Sequence, residues 1–292
     1  MYTTLISASQ LQGLMTQPSA VMVFDCSFEL MQPTAGEAQY LQSRISGAVR
    51  ADLERHLSAA KDASDAASGG RHPLPSRESF AAWLGSVGLT PDMQAVVYDR
   101  QGNTYCARLW WMLKWLGHEA VAVLDGGLQA WQSAGGALDS GAPVAVVSNP
   151  QIHASVYPLA KAVCTLVTTE TIVNELGRPS QTVIDARATP RFRGEVEPLD
   201  PVAGHIPGAL NRPFAQNFDS TGVFKPAAQL RAEFETLLAG RDPASVVHQC
   251  GSGVTAVPNL LAMEIAGLGR SALYAGSWSE WCSDPRRPMA KG

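Results

Sequence analysis

The chain contains 292 residues, 46% of them hydrophobic, which is enough apolar material for about two packed domains. Its formal net charge is −4 at pH 7, so the chain has no overall basic field that would attract nucleic acid or an anionic membrane. A small-molecule substrate or a protein partner is therefore expected, rather than nucleic acid or a membrane surface.

Neither the N-terminus nor the cysteines indicate export or metal binding. Residues 1–6 lack a basic region followed by an apolar run, and no stretch reaches the ~18 apolar residues that span a bilayer. We therefore expect a cytoplasmic protein. The cysteines are widely spaced and form no zinc-ligand pattern: Cys26, Cys106, Cys164, Cys250 and Cys282. No metal and no other cofactor is predicted.

Apolar runs alternate with amphipathic segments along the first half, which predicts strands that alternate with helices. In chain order, the pattern predicts a helix over 8–15, a strand over 21–24, a helix over 76–84, a strand over 95–98, a buried helix over 106–116 and a strand over 121–124. A polar stretch of small residues over 58–70 predicts a loop.

The second half of the chain repeats this order. The matching segments are 23–25 with 183–185, 44–48 with 205–209, and Gly126 and Trp131 with Gly276 and Trp281. When Val246 is aligned on Val96 the offset is 150 residues, and Cys250 then corresponds to Arg100. The chain therefore consists of two copies of one domain, of which only the second carries this cysteine.

Strands that alternate with helices predict an α/β fold in which each copy forms a mostly parallel sheet flanked by helices. Ligands of such sheets bind at the carboxyl ends of the strands. Three prolines without a clear period mark the connection between the copies: Pro143, Pro150 and Pro158. We assign residues 1–145 to a non-catalytic first domain, 146–161 to a connector and 162–292 to a catalytic second domain.

The stretch 246–256 places a cysteine in a loop between a strand and a helix. An apolar strand beginning at Val246 ends before Cys250, Gly251 and Gly253 follow, and the segment 260–266 predicts a helix. Such a loop can aim several backbone N–H groups and the positive end of a helix dipole at one point. An anion such as a thiolate is favoured there, so Cys250 is predicted to be a nucleophile.

Several motifs together resemble the rhodanese superfamily. The segment Cys250-Gly251-Ser252-Gly253-Val254-Thr255-Ala256 is similar to the active-site loop of the 3-mercaptopyruvate sulfurtransferases. Four further segments resemble signatures of this family: Asp-Ala-Arg at 185–187, Arg-Phe at 191–192, Gly-His-Ile-Pro-Gly-Ala-Leu-Asn at 204–211 and Gly-Ser-Trp-Ser-Glu-Trp at 276–281. The resemblance covers nearly the whole chain and implies two tandem rhodanese-like domains.

The resemblance implies a persulfide mechanism at Cys250. This cysteine would accept sulfur from a donor, and the anion would be held by the backbone N–H groups of Gly251, Ser252, Gly253, Val254 and Thr255. Arg191 would pair with the donor carboxylate, for which the guanidinium fork suits a bidentate contact. Arg187 would either contact the substrate as well or hold the loops together beside Asp185.

The resemblance also implies a hydrogen-bonded group of Ser252, His72 and an acid. Glu54 occupies the position of that acid, and Asp52, two residues earlier, is the alternative. A second substrate arginine of the family has no counterpart in the segment 197–200. Arg193 is the candidate that could replace it.

The leading function that the resemblance implies is a sulfurtransferase, with 3-mercaptopyruvate as donor and thiosulfate as the alternative. The acceptor would be cyanide or a thiol such as reduced thioredoxin. A cysteine phosphatase would need an arginine six residues after the nucleophile, where this chain has Ala256. A non-catalytic binding module fits the first copy, which lacks the cysteine, but not the second.

Overall fold

A computed structural model describes residues 1–17, 20–61, 63–143 and 156–292. The chain divides into two compact units, of which the first comprises Met1–Ala59, Pro75–Val163 and Thr221–Val223. The second comprises Ala60–Leu74, Cys164–Ser220 and Phe224–Gly292. The second unit thus includes a segment from the first half of the chain. Most of the predicted connector, residues 146–155, lies outside the described residues.

The first unit contains helices between strands, as the sequence predicts. Its elements are β1 (Leu5–Ile6), α1 (Ala8–Met15), β2 (Val21–Asp25), α2 (Ala35–Gln42), β3 (Arg44–Ile45), β4 (Val49–Arg50), α3 (Arg77–Ser86), β5 (Gln94–Tyr98), α4 (Cys106–Trp115), β6 (Val121–Leu124), α5 (Gly127–Ser133) and β7 (Leu138–Asp139). Among the described residues, five parallel strands form a sheet in the order β1-β6-β5-β2-β4. β3 and β7 form a separate antiparallel pair.

The second unit repeats this plan. Its elements are β8 (Thr165–Leu166), α6 (Thr169–Asn174), β9 (Thr182–Asp185), α7 (Thr189–Arg193), β10 (Leu210–Asn211), α8 (Ala227–Leu238), β11 (Val246–Gln249), α9 (Val257–Ile265), β12 (Ala272–Leu273) and α10 (Ser277–Trp281). Among the described residues, its five parallel strands take the order β10-β9-β11-β12-β8, which is the topology of the first sheet. The predicted α/β class with mostly parallel sheets flanked by helices is confirmed.

The register of the two sheets corrects the alignment of the two copies. β9 ends at Asp185 opposite Gln249 of β11, and β2 ends at Asp25 opposite Tyr98 of β5. Gln249 therefore matches Tyr98, an offset of 151, and the counterpart of Cys250 is Asp99. The offset of 150, which paired Cys250 with Arg100, was wrong at this strand. Valines occupy adjacent positions in both strands, and only the backbone pairing fixes which residue faces which.

The core of the second unit is built from strand residues and two tryptophans of α10. Val183 and Val247 of the neighbouring strands β9 and β11 pack in one cluster with Trp278 and Trp281, and both tryptophans are fully buried. Burying large aromatic side chains contributes strongly to stability and fixes α10 against the sheet. The carboxyl ends of β9 and β11 are thereby held in place. In the described part of the chain, no helix is both long and apolar enough to cross a membrane.

His248 is the second-last residue of β11 and is fully buried. Its Nε2 lies 3.1 Å from the sulfur of Met263, and its Nδ1 has no hydrogen-bond partner within the described residues. Burial, with a smaller contribution from Arg212, lowers the pKa of His248 from 6.5 to about 3. The folded protein therefore keeps this imidazole neutral.

Stability is expected to fall as the pH drops below about 6.5 toward 3, because the unfolded chain then binds a proton on His248 that the folded chain does not. The slope from this one group is at most about 1.4 kcal/mol per pH unit. Urea unfolding of the wild type and of His248→Leu across this range measures it. If both proteins show the same slope, His248 is not its source.

Candidate active site

Cys250 follows β11 directly and opens the loop that leads into α9. The cysteine is only 1% exposed. The loop turns at Gly253, whose φ is +72°, and a β-carbon there would lie 2.2 Å from the carbonyl oxygen of Ala275. Any other residue would both strain the backbone and collide with main chain, so the tight turn behind the cysteine requires glycine.

Ser277 anchors the cysteine from the start of α10. The backbone N–H of Cys250 donates to Ser277 Oγ at 3.0 Å, and this hydroxyl donates to the carbonyl of Tyr274 at 3.0 Å. The N–H of Trp278 donates to the carbonyl of Cys250 at 3.0 Å. Ser277 has a φ of +55°, a costly backbone conformation for a residue with a side chain. Sequence reasoning saw Ser277 only as part of a motif and missed this role.

The loop presents backbone N–H groups that have no acceptor. Within the described part of the chain, the N–H groups of Gly251, Ser252, Val254 and Thr255 make no hydrogen bond. They lie directly ahead of α9, at the end of the helix that carries partial positive charge. The loop is therefore a site for an anion on residue 250 or next to it.

The first unit shows an anion held by such a loop. The Asp99 carboxylate accepts four backbone hydrogen bonds: from Gln101 (3.0 Å) and Asn103 (2.8 Å) on one oxygen and from Tyr105 (2.7 Å) and Cys106 (3.0 Å) on the other. All these donors lie between the end of β5 and the start of α4. A side-chain carboxylate on the residue after this strand thus accepts hydrogen bonds from four N–H groups of this segment.

Both loops turn at a glycine, although Asn103 of the first loop also has a positive φ, +61°, and Val254 at the matching position does not. The offset of 151 that matches Cys250 to Asp99 also places Gly253 on Gly102, and both glycines have a positive φ, +72° and +66°. At this offset the donors Gln101 and Asn103 correspond to Ser252 and Val254, whose N–H groups make no described hydrogen bond, whereas Cys106 corresponds to Val257, whose N–H donates to the carbonyl of Val254. In the first loop the N–H groups bind the carboxylate of Asp99, a residue of the same chain segment. In the second loop the matching residue is Cys250, which has a thiol.

Ser252 and His72 are brought together, as the resemblance implies. His72 Nδ1 lies 2.8 Å from Ser252 Oγ, within hydrogen-bonding distance, and both residues are buried. Although His72 precedes the first-unit helix α3 in the chain, it belongs to the segment 60–74 that forms part of the second unit. The pair can exchange a proton at the rim of the loop.

The two candidate acids lie in the first unit. Asp52 is buried, and its carboxylate accepts hydrogen bonds from the backbone N–H groups of Glu54 and Arg55, each at 3.0 Å, and from Arg50 at 3.1 Å. Asp52 thus closes the turn that follows β4. The side chain of Glu54 is exposed. The role of either acid beside His72 stays a prediction.

Arg187 is buried in an internal ion-pair network. Its Nε and Nη2 bind the Asp185 carboxylate, at 3.1 and 2.7 Å, and its Nη1 lies 3.3 Å from Glu197. The guanidinium also lies 4.8 Å from the ring centre of Trp278. Burial opposes the charged form, but Asp185 and Glu197 outweigh it and raise the pKa of Arg187. Of its two predicted roles, these contacts fit the one that holds the loops together.

Arg191, on α7, lies beside the cysteine loop. A β-carbon on Gly251 would be 3.6 Å from both of its terminal nitrogens. Its Nε and Nη2 bind the carboxylate of Glu197, at 3.2 and 2.6 Å, and Nη2 also lies 3.3 Å from Asp200. The side-on edge of the guanidinium, formed by Nε and Nη2, is thus already engaged, and Nη1 is the nitrogen without a described acceptor.

The side chain of Arg193 lies largely in solvent, whereas that of Arg71 lies close to the cysteine loop. The side chain of Arg193 is 56% exposed and its described ion pair is with Glu195, at 3.8 Å. Arg71 Nη2, by contrast, would lie 3.1 Å from a β-carbon on Gly251. Sequence reasoning did not consider Arg71, and its position next to His72 was the one signal that could have suggested it.

Within the described residues, no group of three or more His, Cys, Asp or Glu side chains is arranged to hold a metal ion.

The rhodanese-like domain family matches the chain twice, over residues 7–134 and 168–284. The chain is 45% identical over 289 residues to a probable 3-mercaptopyruvate sulfurtransferase of Pseudomonas aeruginosa, covering 99% of this chain and 98% of that protein. It is 39% identical over 292 residues to a putative thiosulfate sulfurtransferase, SseB, of Mycobacterium tuberculosis, covering 99% and 97%.

Among solved structures, the chain is similar to SseA of Escherichia coli, described as a 3-mercaptopyruvate sulfotransferase with the rhodanese fold. The TM-score is 0.76 at 31% sequence identity, and the match covers 95% of this chain and 100% of that one. The fold is therefore shared along nearly the whole length.

Replacing Asp99 with alanine is expected to lower the free energy of unfolding by at least about 3 kcal/mol, because buried N–H groups lose their acceptor. Hydrogen exchange of the amides at 101–106 should accelerate in the variant. Asp92→Ala is the matched control, since Asp92 is exposed and its carboxylate bonds only locally to Thr90. Unchanged protection at 101–106 in Asp99→Ala would contradict the role of Asp99.

Proposed function

The chain belongs to the rhodanese-like domain family, as its motifs predicted, and we propose that it transfers sulfane sulfur through a persulfide on Cys250. The donor is 3-mercaptopyruvate, and the acceptor is a thiol or cyanide. The second unit is the catalytic domain, and the first, with Asp99 in place of the cysteine, is non-catalytic.

One observation carries this proposal: a thiol stands where the first unit holds an anion. Four backbone N–H groups bind the carboxylate of Asp99, and in the matching loop the N–H groups of Ser252 and Val254, which correspond to two of them, have no acceptor among the described residues. A thiolate or persulfide on Cys250 is an anion at the same point. Electrostatic stabilisation by preorganised donors is a large contribution to catalysis of this kind.

The proposed step forms an S–S bond and breaks a C–S bond. The Cys250 thiolate attacks the sulfur of 3-mercaptopyruvate, and the electron pair of the C–S bond passes to the methylene carbon. A proton added to the resulting enolate gives pyruvate. The persulfide sulfur is then attacked by the acceptor thiolate or cyanide, which regenerates the Cys250 thiolate.

We assign the proton transfer to Ser252 and His72. Their hydrogen bond of 2.8 Å allows the Ser252 hydroxyl to protonate the leaving enolate while His72 restores the proton. Glu54 and Asp52 remain candidate acids that orient this histidine. Arg191 contributes positive charge to the donor carboxylate from beside Gly251.

The names of the relatives support two donors. The relative from Pseudomonas aeruginosa is named for 3-mercaptopyruvate and the one from Mycobacterium tuberculosis for thiosulfate. Gly251 and Ser252 of the cysteine loop favour 3-mercaptopyruvate, because Ser252 provides the proton that a carbon leaving group needs and that sulfite does not. Thiosulfate is the second candidate donor, and reduced thioredoxin is the proposed protein acceptor.

Incubation of the protein with 3-mercaptopyruvate is expected to add the mass of one sulfur atom to the peptide that contains Cys250. Pyruvate should appear in equal amount, because each transfer releases one. Peptide mass spectrometry and a pyruvate assay measure both, with thiosulfate tested in parallel.

Cys250→Ser should show neither product, and Cys106→Ser, which alters a buried cysteine of the first unit, is the matched control. An adduct with neither donor would end the sulfurtransferase proposal. Full sulfur transfer by Cys250→Ser would overturn the assignment of the nucleophile to Cys250.

Ser252→Ala is expected to lower kcat with 3-mercaptopyruvate by about 10²-fold, the usual contribution of a proton donor, with little change in KM. With thiosulfate the loss should be much smaller, because sulfite leaves without being protonated. Steady-state kinetics with both donors test this. An equal loss with both would show that Ser252 serves the loop structure and not the proton transfer.

A further inference from the structure

We propose that Arg71 binds the carboxylate of the donor side-on, through its Nε and Nη2, and so determines the preference for carboxylate donors. This inference rests on the proposed function of Cys250. It concerns a residue from the segment 60–74, which is part of the second unit. The geometry assigns Arg191 a single supporting contact.

The main chain at Arg71 is tied to the cysteine loop through Ser279. The backbone N–H of Arg71 donates to Ser279 Oγ at 3.0 Å, and the N–H of Ser279 donates to the carbonyl of Gly251 at 2.9 Å. The preceding Gly70 has a φ of +88°, and a β-carbon there would lie 2.5 Å from the carbonyl oxygen of Gly276. Position 71 therefore has a fixed place beside residue 251.

The guanidinium of Arg71 is held at Nη1, and its Nε–Nη2 edge has no acceptor among the described residues. Its Nη1 binds Asp200 at 2.5 Å, and Asp200 is almost fully buried. Its Nη2 would lie 3.1 Å from a β-carbon on Gly251, so it points to the residue next to the nucleophile. Its Nε is buried and has no hydrogen-bond partner within the described residues.

A buried guanidinium N–H without an acceptor is costly, and a bound carboxylate would remove that cost. The Nε–Nη2 edge of an arginine presents two parallel N–H bonds that match the two oxygens of a carboxylate. Here that edge combines an unpaired Nε with an Nη2 close to Gly251. The contact would place the donor carboxylate within reach of the loop that carries Cys250.

The same edge of Arg191 is not available. Its Nε and Nη2 are occupied by Glu197, at 3.2 and 2.6 Å, which leaves Nη1 as the nitrogen near Gly251 that is not bound to this acid. The two arginines share Asp200, which binds one nitrogen of each. Arg191 is thus set for a single contact, and Arg71 for the bidentate one.

The test compares wild type, Arg71→Ala and Arg71→Lys with two donors, 3-mercaptopyruvate and mercaptoacetone, which lacks the carboxylate. Arg71→Ala should raise KM for 3-mercaptopyruvate by at least about tenfold with a smaller effect on kcat. Its kinetics with mercaptoacetone should match those of the wild type. Arg71→Lys should recover only part of the loss, because an ammonium has charge but no fork.

Arg178→Ala is the matched control, since the Arg178 side chain is 64% exposed and pairs with Glu175, and it should leave the kinetics with both donors unchanged. Binding of pyruvate, measured by calorimetry, gives a readout that does not depend on turnover, and Arg71→Ala should weaken it at least about tenfold. A wild type that binds pyruvate but forms no persulfide would end the proposed function and leave the role of Arg71 standing.

Three results would overturn the role of Arg71: an unchanged KM and pyruvate affinity in Arg71→Ala, an equal loss with both donors, or full recovery by Arg71→Lys. An equal loss with both donors would mean that Arg71 supports the neighbouring His72. Full recovery by lysine would mean that charge alone acts there.

Discussion

The binding of an anion by backbone N–H groups at the end of the central strand is the constraint on which both units are built. The first N–H groups of a helix and of the loop before it have no partner in the helix and must find an acceptor. In the first unit the carboxylate of Asp99 accepts four of them. In the second unit the residue at that position is Cys250, so a thiol stands where the first unit has a carboxylate.

The second unit surrounds this loop with charges that are nearly all paired. Three arginines have acidic partners: Arg187 with Asp185, Arg191 with Glu197 and Arg71 with Asp200. The acidic partner determines which N–H groups of each arginine can still bind a ligand. A guanidinium whose Nε and Nη2 already bind a carboxylate cannot offer this pair to a second one. Burial raises the pKa of Asp200 against the opposing effect of Arg71.

The segment 60–74 lies in the first half of the sequence but belongs to the second unit of the structure. By composition it is a polar loop, and it precedes the helix α3 of the first unit. Its backbone and side chains nevertheless belong to the second unit, where Arg71 lies against Gly251 and His72 against Ser252. The proposed catalytic unit therefore takes two polar groups from the first half of the chain, which no division into consecutive halves could place.

The sequence by itself determined the fold class, the duplication, the family and the cysteine loop, because these follow from local periodicity and from motifs of contiguous residues. It could not place Asp99 opposite Cys250, since runs of valine leave the register of a strand undetermined until backbone hydrogen bonds set it. Nor could it rank the arginines. Arg193 is exposed, and Arg191 has its Nε–Nη2 edge on Glu197, while Arg71 has its Nη2 beside Gly251 and an Nε without an acceptor among the described residues. Only the tertiary structure decides which edge of a side chain is occupied, because that depends on partners distant in the chain.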